Sequence, residues 1–446
     1  MARTLEVSPP NSFPKAAPDS SSDERIAALD GLRAGAMLLG VCLHGAVSYM
    51  SGHMPGLIWV VHDGASHSGF DIFFWWLHSF RLPLFFFLAG FFTALIDATR
   101  GRGELLAHRV RRLLIPFLVG CLLILPVSFY IWAGGWLVSG RCTVKEILAI
   151  KFGPAIQGEL YGPLHLWFLE DLFLLTLAFC VYRWLFRRQP AAPARATLTG
   201  AAGWWGRISL PLWLSVPTTL VLAVNLQPVI AHHNSFIPDV WRLFYYGLFF
   251  AAGVTAYPRR KHLPQVCRPW GLYLILSLPV AAALMPLLQR HLDGRGDWGI
   301  RLALAATISL LAWLSLFGFL GLGLRFGNAR RALLRYLADA SYWVYLCHLP
   351  LVGLMQLDLV GVALPAEVKF FVVVGLTVFL ALASYETLVR YTFLGTCLHG
   401  RRQRPAQTER AGSASDDCSG IASTSSSLHW GHLMRITASR RSPSRT

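Results

Sequence analysis

Apolar stretches of about twenty residues alternate along this chain with short polar loops. The apolar runs fall at 32–51, 71–96, 113–134, 164–186, 208–230, 241–257, 271–289, 301–323, 334–356 and 367–390. At about 1.5 Å of rise per residue, a helix of that length crosses a hydrocarbon layer roughly 30 Å thick. The pattern therefore predicts an all-α polytopic membrane protein with about ten transmembrane helices. The weakest run is 241–257, which is short and ends at Pro258.

Composition agrees. Hydrophobic residues fill 54% of the 446 positions and charged residues only 14%, too few to cover a soluble protein of this size. The formal net charge of +17 invites a nucleic-acid partner, but the cations lie in alternate loops between apolar runs. Loops assigned to the inner side hold eighteen Lys and Arg, those assigned to the outer side eight. That bias argues for a lipid bilayer, no nucleic acid, and both termini in the cytosol. Residues 1–28 read as a disordered cytosolic arm, 29–395 as the transmembrane domain, and 396–446 as a disordered basic tail. The eight cysteines are scattered without a CxxC, so neither a zinc site nor a disulfide framework is expected. No internal repeat marks the paired halves common in transporters.

Ionisable residues at membrane depth are costly, and those that persist usually face a cavity. Arg33 and His44 share a face of the first helix, with a rise of about 16 Å between them. They are either an interface cation plus a histidine bonded to a neighbouring helix, or parts of one polar path. In HSFRLPLFFFLAGFF, His78 and Arg81 share a face of the second helix, with Pro83 expected to kink it. Arg81 either snorkels to headgroups or lines a polar cavity. The fourth helix opens GPLHLWFLEDLF, with His165 near the outer interface and Glu170 and Asp171 deeper. Two adjacent acids cannot share one face, and pairing with a cation such as Arg81 is as good a role as catalysis. In the ninth helix Ser341, Tyr345 and His348 return to one face, with His348 near the depth of His44. Arg109 and Arg112 stand one turn apart at the inner start of the third helix, as a topology signal or as a phosphate site. The loop HDGASHSGFD (His62, Asp63, His67, Asp71) reads as a solvated loop or acceptor-binding rim, and no metal is expected.

LDGLRAGAMLLGVCLHGAVSY, with its Arg-x10-His spacing, HSFRLPLFFFLAGFF, RVRRLLIPF, LHLWFLEDLF, RLFYYGLFFAAGVTAYP, ASYWVYLCHLPL and YETLVRYTFLG follow one another in order. Together they resemble the acyltransferase 3 family of integral membrane acyltransferases, within it the branch that modifies periplasmic glucans, over about residues 28–395. One departure is Ala89–Gly90, where family members often carry Ser before the glycine.

The resemblance implies an O-acyltransferase of the bacterial inner membrane. It would move a succinyl or acetyl group from cytosolic acyl-CoA, a co-substrate rather than a bound cofactor, to a hydroxyl of a periplasmic or cell-envelope glycan. Glucan-synthesis proteins are candidate partners. On that basis Arg33, Arg109 and Arg112 would hold the donor phosphates at the inner mouth, with Asp30 orienting Arg33. His44 would act as general base or, second in rank, as covalent acyl carrier. Arg81 would stabilise the oxyanion, and His348 would orient the acceptor or return a proton. Asp30, Glu170, Ser341, Tyr345 and His78 would support them. The alternatives are a secondary transporter or lipid-linked glycan flippase, which also needs charges facing a cavity, and a sensory or scaffolding protein, which does not need paired membrane histidines. The enzyme also requires a polar passage from the inner surface to the two imidazoles.

Overall fold

The computed structural model describes residues 20–392, except 53, 55, 187–202, 226–233 and 328–331. Most of the predicted arm, the whole basic tail, Arg187, Arg188, Arg195, Arg330 and Arg331 of the inner loops, and Cys397 and Cys418 lie outside the described residues. Among those described, every regular element is a helix.

Helix α1 (Ser20–Ala46) starts inside the segment read as an arm and ends in a 3₁₀ turn, Val47–Tyr49. Helix α2 (Ser68–Arg109) starts where the His67 side chain accepts from the Gly69 amide. Pro83 sits within α2 without a break in helical angles. The break comes at Gly101, with φ 82°, a region that L side chains avoid. The chain reverses there. Arg109 Nη2 donates to Thr93 Oγ1 at 2.7 Å, although sixteen residues of unbroken helix would span about 24 Å. A loop was expected between the second and third spans; one glycine inside helical structure does the same work.

A π turn (Val110–Leu114) leads into α3 (Ile115–Val138). Two short helices, α4 (Val144–Ala149) and α5 (Pro154–Glu159), precede a 3₁₀ turn (Leu164–Leu166) and α6 (Trp167–Leu185). Then come α7 (Trp204–Val224), α8 (Val240–Ala256), the single-turn α9 (Leu263–Val266) and α10 (Trp270–Arg290). The last three are α11 (Trp298–Phe326), α12 (Ala332–Leu359) and α13 (Ala366–Ser384).

Seven helical stretches among the described residues are long and apolar enough to cross a membrane, and one of them, Ser68–Val138, contains α2, its reversal and α3. Helices α8 and α12 are not among the seven, yet α8 packs along α2 and α12 along α1. Helices α1, α2, α11 and α12 hold the middle of the bundle. Lipid tails are as apolar as leucine, so such helices associate through close packing rather than through water exclusion. At the crossing of α2 and α8, a β-carbon on Gly90 would collide with the Phe250 carbonyl, and one on Gly253 with the Phe87 carbonyl. Gly90 is therefore required by the backbone contact, whatever residue precedes it.

Two ion pairs lie deep in this packing. Arg242 grips Asp171 with both arms, Nε to Oδ2 at 2.8 Å and Nη2 to Oδ1 at 3.1 Å, and Lys369 reaches Asp63 at 2.7 Å. Both cations were assigned to outer loops, and both are buried instead. Asp63 belongs to the loop between α1 and α2, which folds into the bundle and buries Trp59, Val60 and Val61. Asp71 holds the start of that loop by accepting from the Ser51 and Gly52 amides at 2.9 and 2.8 Å.

Candidate active site

Helices α1, α2, α3, α6 and α12 enclose a cavity of about 460 Å³. Aromatic and aliphatic side chains make most of its wall, and His44, His78, Arg81, His165, Tyr345 and His348 supply polar groups. Among the described residues no Asp or Glu lines it.

His44 stands in the last turn of α1 and His348 in the middle of α12. Their ring centroids are 5.3 Å apart. His348 Nδ1 lies 2.7 Å from the Tyr345 carbonyl. A carbonyl only accepts, so Nδ1 carries the proton and Nε2 keeps the lone pair of the neutral ring. That nitrogen has no hydrogen-bond partner among the described residues.

His165, at the start of its span, turns into the bundle, with its ring centroid 5.1 Å from that of His348. Its Nε2 lies 3.1 Å from the Leu346 carbonyl, which would otherwise bond the amide four residues on. That residue is Pro350, which has no N–H, so the helix leaves this acceptor to the histidine. The Tyr345 hydroxyl donates to the His165 carbonyl at 2.8 Å. The start of α6 and the middle of α12 are thus joined in both directions.

Arg81 differs from the two paired cations, Arg242 and Lys369. Arg242 and Lys369 each have a carboxylate; Arg81 has none among the described residues, and its Nε has no hydrogen-bond partner. Its guanidinium lies against α1 at Gly40, with Nη1 2.7 Å from where a β-carbon on Gly40 would stand. His78, one turn earlier, stacks on Phe74 at 5.6 Å and borders the same cavity.

Other expected site residues do not join this group. Glu170 is not on the cavity wall; the acid that finds a cation is its neighbour Asp171, and the cation is Arg242 rather than Arg81. The Ser341 hydroxyl donates to the Ala338 carbonyl of its own helix at 2.9 Å and also stays off the wall. Asp63, His67 and Asp71 are engaged with Lys369, the Gly69 amide and the Ser51–Gly52 amides, which leaves the loop built for structure.

Arg33, Arg109 and Arg112 lie close enough to feel one another's charge. Arg33 pairs with Asp30 at 3.2 Å, both about two-fifths exposed. Arg109 is buried and bonds Thr93 Oγ1 at 2.7 Å and the Ala89 carbonyl at 3.4 Å. None of the three lines the cavity, which stops on α1 at Met37, one turn short of Arg33. The cavity as outlined therefore does not itself reach the inner mouth.

Residues that sequence reasoning left without a role complete the surroundings. Trp59 lies parallel to His44 at 5.7 Å, and Gln356 accepts from its indole N–H at 2.7 Å. Neither has a sequence signal, because the contacts span loops and helices far apart in the chain. For His165 a signal existed in Pro350, which announces an unfilled carbonyl.

The profile of the acyltransferase domain family, acyltransferase 3, matches residues 26–386. Glucans biosynthesis protein C from Salmonella schwarzengrund (strain CVM19633), from Salmonella typhi and from Salmonella typhimurium (strain LT2) is in each case 26% identical over 328 residues, covering 72% of this chain and 81% of the relative. No solved structure matches the chain.

Proposed function

The chain belongs to the acyltransferase domain family, and we propose its reaction from there. It is a multi-pass membrane acyltransferase that transfers groups other than aminoacyl groups. The proposed reaction moves a succinyl or acetyl group from cytosolic acyl-CoA to a hydroxyl of a periplasmic or cell-envelope glycan, across a bacterial inner membrane. Ten crossings with both termini in the cytosol would put the Arg33 end of α1 at the donor side. The name of the relatives, glucans biosynthesis protein C, supports a glucan as acceptor.

One observation carries this assignment: His44, His348 and Arg81, a cation with no carboxylate partner among the described residues, border a single cavity. In the proposed step the His44 imidazole takes the acceptor hydroxyl's proton as the hydroxyl oxygen bonds the thioester carbon. Arg81 stabilises the oxyanion of the tetrahedral intermediate. The carbon–sulfur bond then breaks, an ester remains on the glycan, and the proton returns through the imidazoles to the leaving thiolate. His348 orients the hydroxyl or passes that proton on. Arg33 and Arg112 hold the donor's phosphates, while Arg109, committed to Thr93, adds charge to the cluster. The donor's arm has about 6 Å to bridge between the turns of Arg33 and Met37. No bound metal or cofactor enters these steps.

Mass spectrometry of envelope glycans tests the assignment. Cells with the gene should yield ester-linked acyl groups that are absent without it and absent with His44→Ala at normal membrane abundance. Identical glycans with and without the gene would overturn it.

A further inference from the structure

A helix leaves its last carbonyls without partners inside the helix. At the end of α1 two of these belong to His44 itself and Gly45. Gln356 of α12 fills both, with Nε2 donating to the His44 carbonyl at 3.2 Å and the Gly45 carbonyl at 3.0 Å. Its other face is equally committed, since Oε1 accepts the Trp59 indole N–H at 2.7 Å. The amide can point only one way. Carbonyls cannot donate and an indole N–H cannot accept, so the NH₂ group must face α1 and the oxygen must face Trp59. Gln356 is 1% exposed and Trp59 2% exposed, so both partners are shielded from bulk solvent.

The indole so held lies over the His44 ring, 5.7 Å between centroids and 5° from parallel. Trp132 braces it edge-on at 5.2 Å. One side chain therefore grips the peptide that carries His44 and, through Trp59, the plane in which the imidazole lies. Gln356's own helix, α12, also carries His348, whose ring centroid is 5.3 Å from that of His44.

We propose that Gln356 is a positioning residue for His44, acting on its backbone directly and on its ring through Trp59. Its importance for turnover rests on His44 being the reacting imidazole, as proposed above, but its effect on the ring does not. The measurement is therefore made on the ring: carbethoxylation of histidines by diethyl pyrocarbonate in the purified full-length protein, followed by peptide mass spectrometry. Gln356→Met removes all three hydrogen bonds. Trp59→Phe keeps an aromatic ring over His44 and removes one hydrogen bond, so it perturbs folding least.

In Gln356→Met the modification rate of His44 should change at least threefold, with those of His165 and His348 within a factor of 1.5 of wild type. Trp59→Phe should give a smaller change in the same direction, and the double variant should match Gln356→Met, because both substitutions cut one linkage. A His44 rate unchanged in both single variants overturns the proposal. So does a change of equal size at all three histidines, which would mark general loosening. Acyl transfer by His44→Ala at the wild-type level would sink the reaction proposed above and leave this result standing.

Discussion

The guanidinium of Arg81 occupies the space that a side chain at Gly40 would need, its Nη1 2.7 Å from the position of the missing β-carbon. Gly40 lies one turn before His44 on the same face of α1, so the empty position seats the cation beside the imidazole. Gly40→Ala would push only the mobile end of Arg81, which the fold can absorb. Turnover should fall about tenfold, roughly 1.4 kcal/mol of transition-state stabilisation, with membrane abundance unchanged. Arg81→Met should cost on the order of 10²–10³, the loss usual for an oxyanion donor. Steady-state acyl transfer in membrane vesicles measures both. Wild-type turnover in Gly40→Ala would show that the seat of Arg81 is immaterial.

Asp171 neutralises Arg242 inside the bundle, 0% and 5% exposed respectively. Removing one member of such a pair leaves a buried charge and typically costs about 3–5 kcal/mol. Asp171→Asn should lower the thermal midpoint of the detergent-solubilised protein far more than Glu170→Gln, one residue earlier. Arg242→Met in the Asp171→Asn background should recover much of the loss. Equal effects of the two acid substitutions would contradict the pairing.

Pro350 costs α12 a backbone hydrogen bond and leaves the Leu346 carbonyl to His165. A proline inside a helix is destabilising by about 3 kcal/mol where nothing compensates. Pro350→Ala supplies the missing N–H, which competes with His165 for that carbonyl. The variant should melt higher and transfer acyl groups several-fold more slowly. A rise in both quantities would mean that the His165 contact has no part in the reaction.

Which parts of this molecule could be read in its sequence follows from how far each property depends on partners. Apolar runs and loop charges are local, so the helical membrane architecture was legible. His44, Arg81 and His348 stood out because ionisable groups are expensive in hydrocarbon wherever they point. Orientation was another matter. Glu170 and Asp171 are adjacent, and only the position of Arg242 decides which of them faces inward. Arg242 and Lys369 looked like loop cations because their carboxylates lie 71 and 306 residues away in the chain. Gln356 has no local signature, since its partners on α1 are more than 300 residues away. The reversal at Gly101 falls where a loop was expected, but the residues on both sides of it are helical, because a single positive-φ glycine suffices for the turn.

The three inner arginines, alike in sequence, should separate in experiment. Arg33 is about two-fifths exposed, paired with its neighbour Asp30 and placed 5.8 Å over the Phe92 ring, so its charge is available to a phosphate. Arg109 is buried, bonded to Thr93 across the reversal at Gly101, and its loss would open that hairpin. A hydrogen bond from a charged donor contributes about 1.5–3 kcal/mol, so Arg109→Ala should lower the melting temperature and the amount of folded protein. Arg33→Ala should leave both intact and raise KM for acyl-CoA about tenfold, with a smaller effect on kcat, because a phosphate contact distant from the thioester acts on ground state and transition state alike. High salt should raise the wild-type KM and narrow the difference, since the lost interaction is between charges near water. A KM for Arg33→Ala equal to wild type at low salt would remove Arg33 from the donor site and leave Arg112 as the cation to test there.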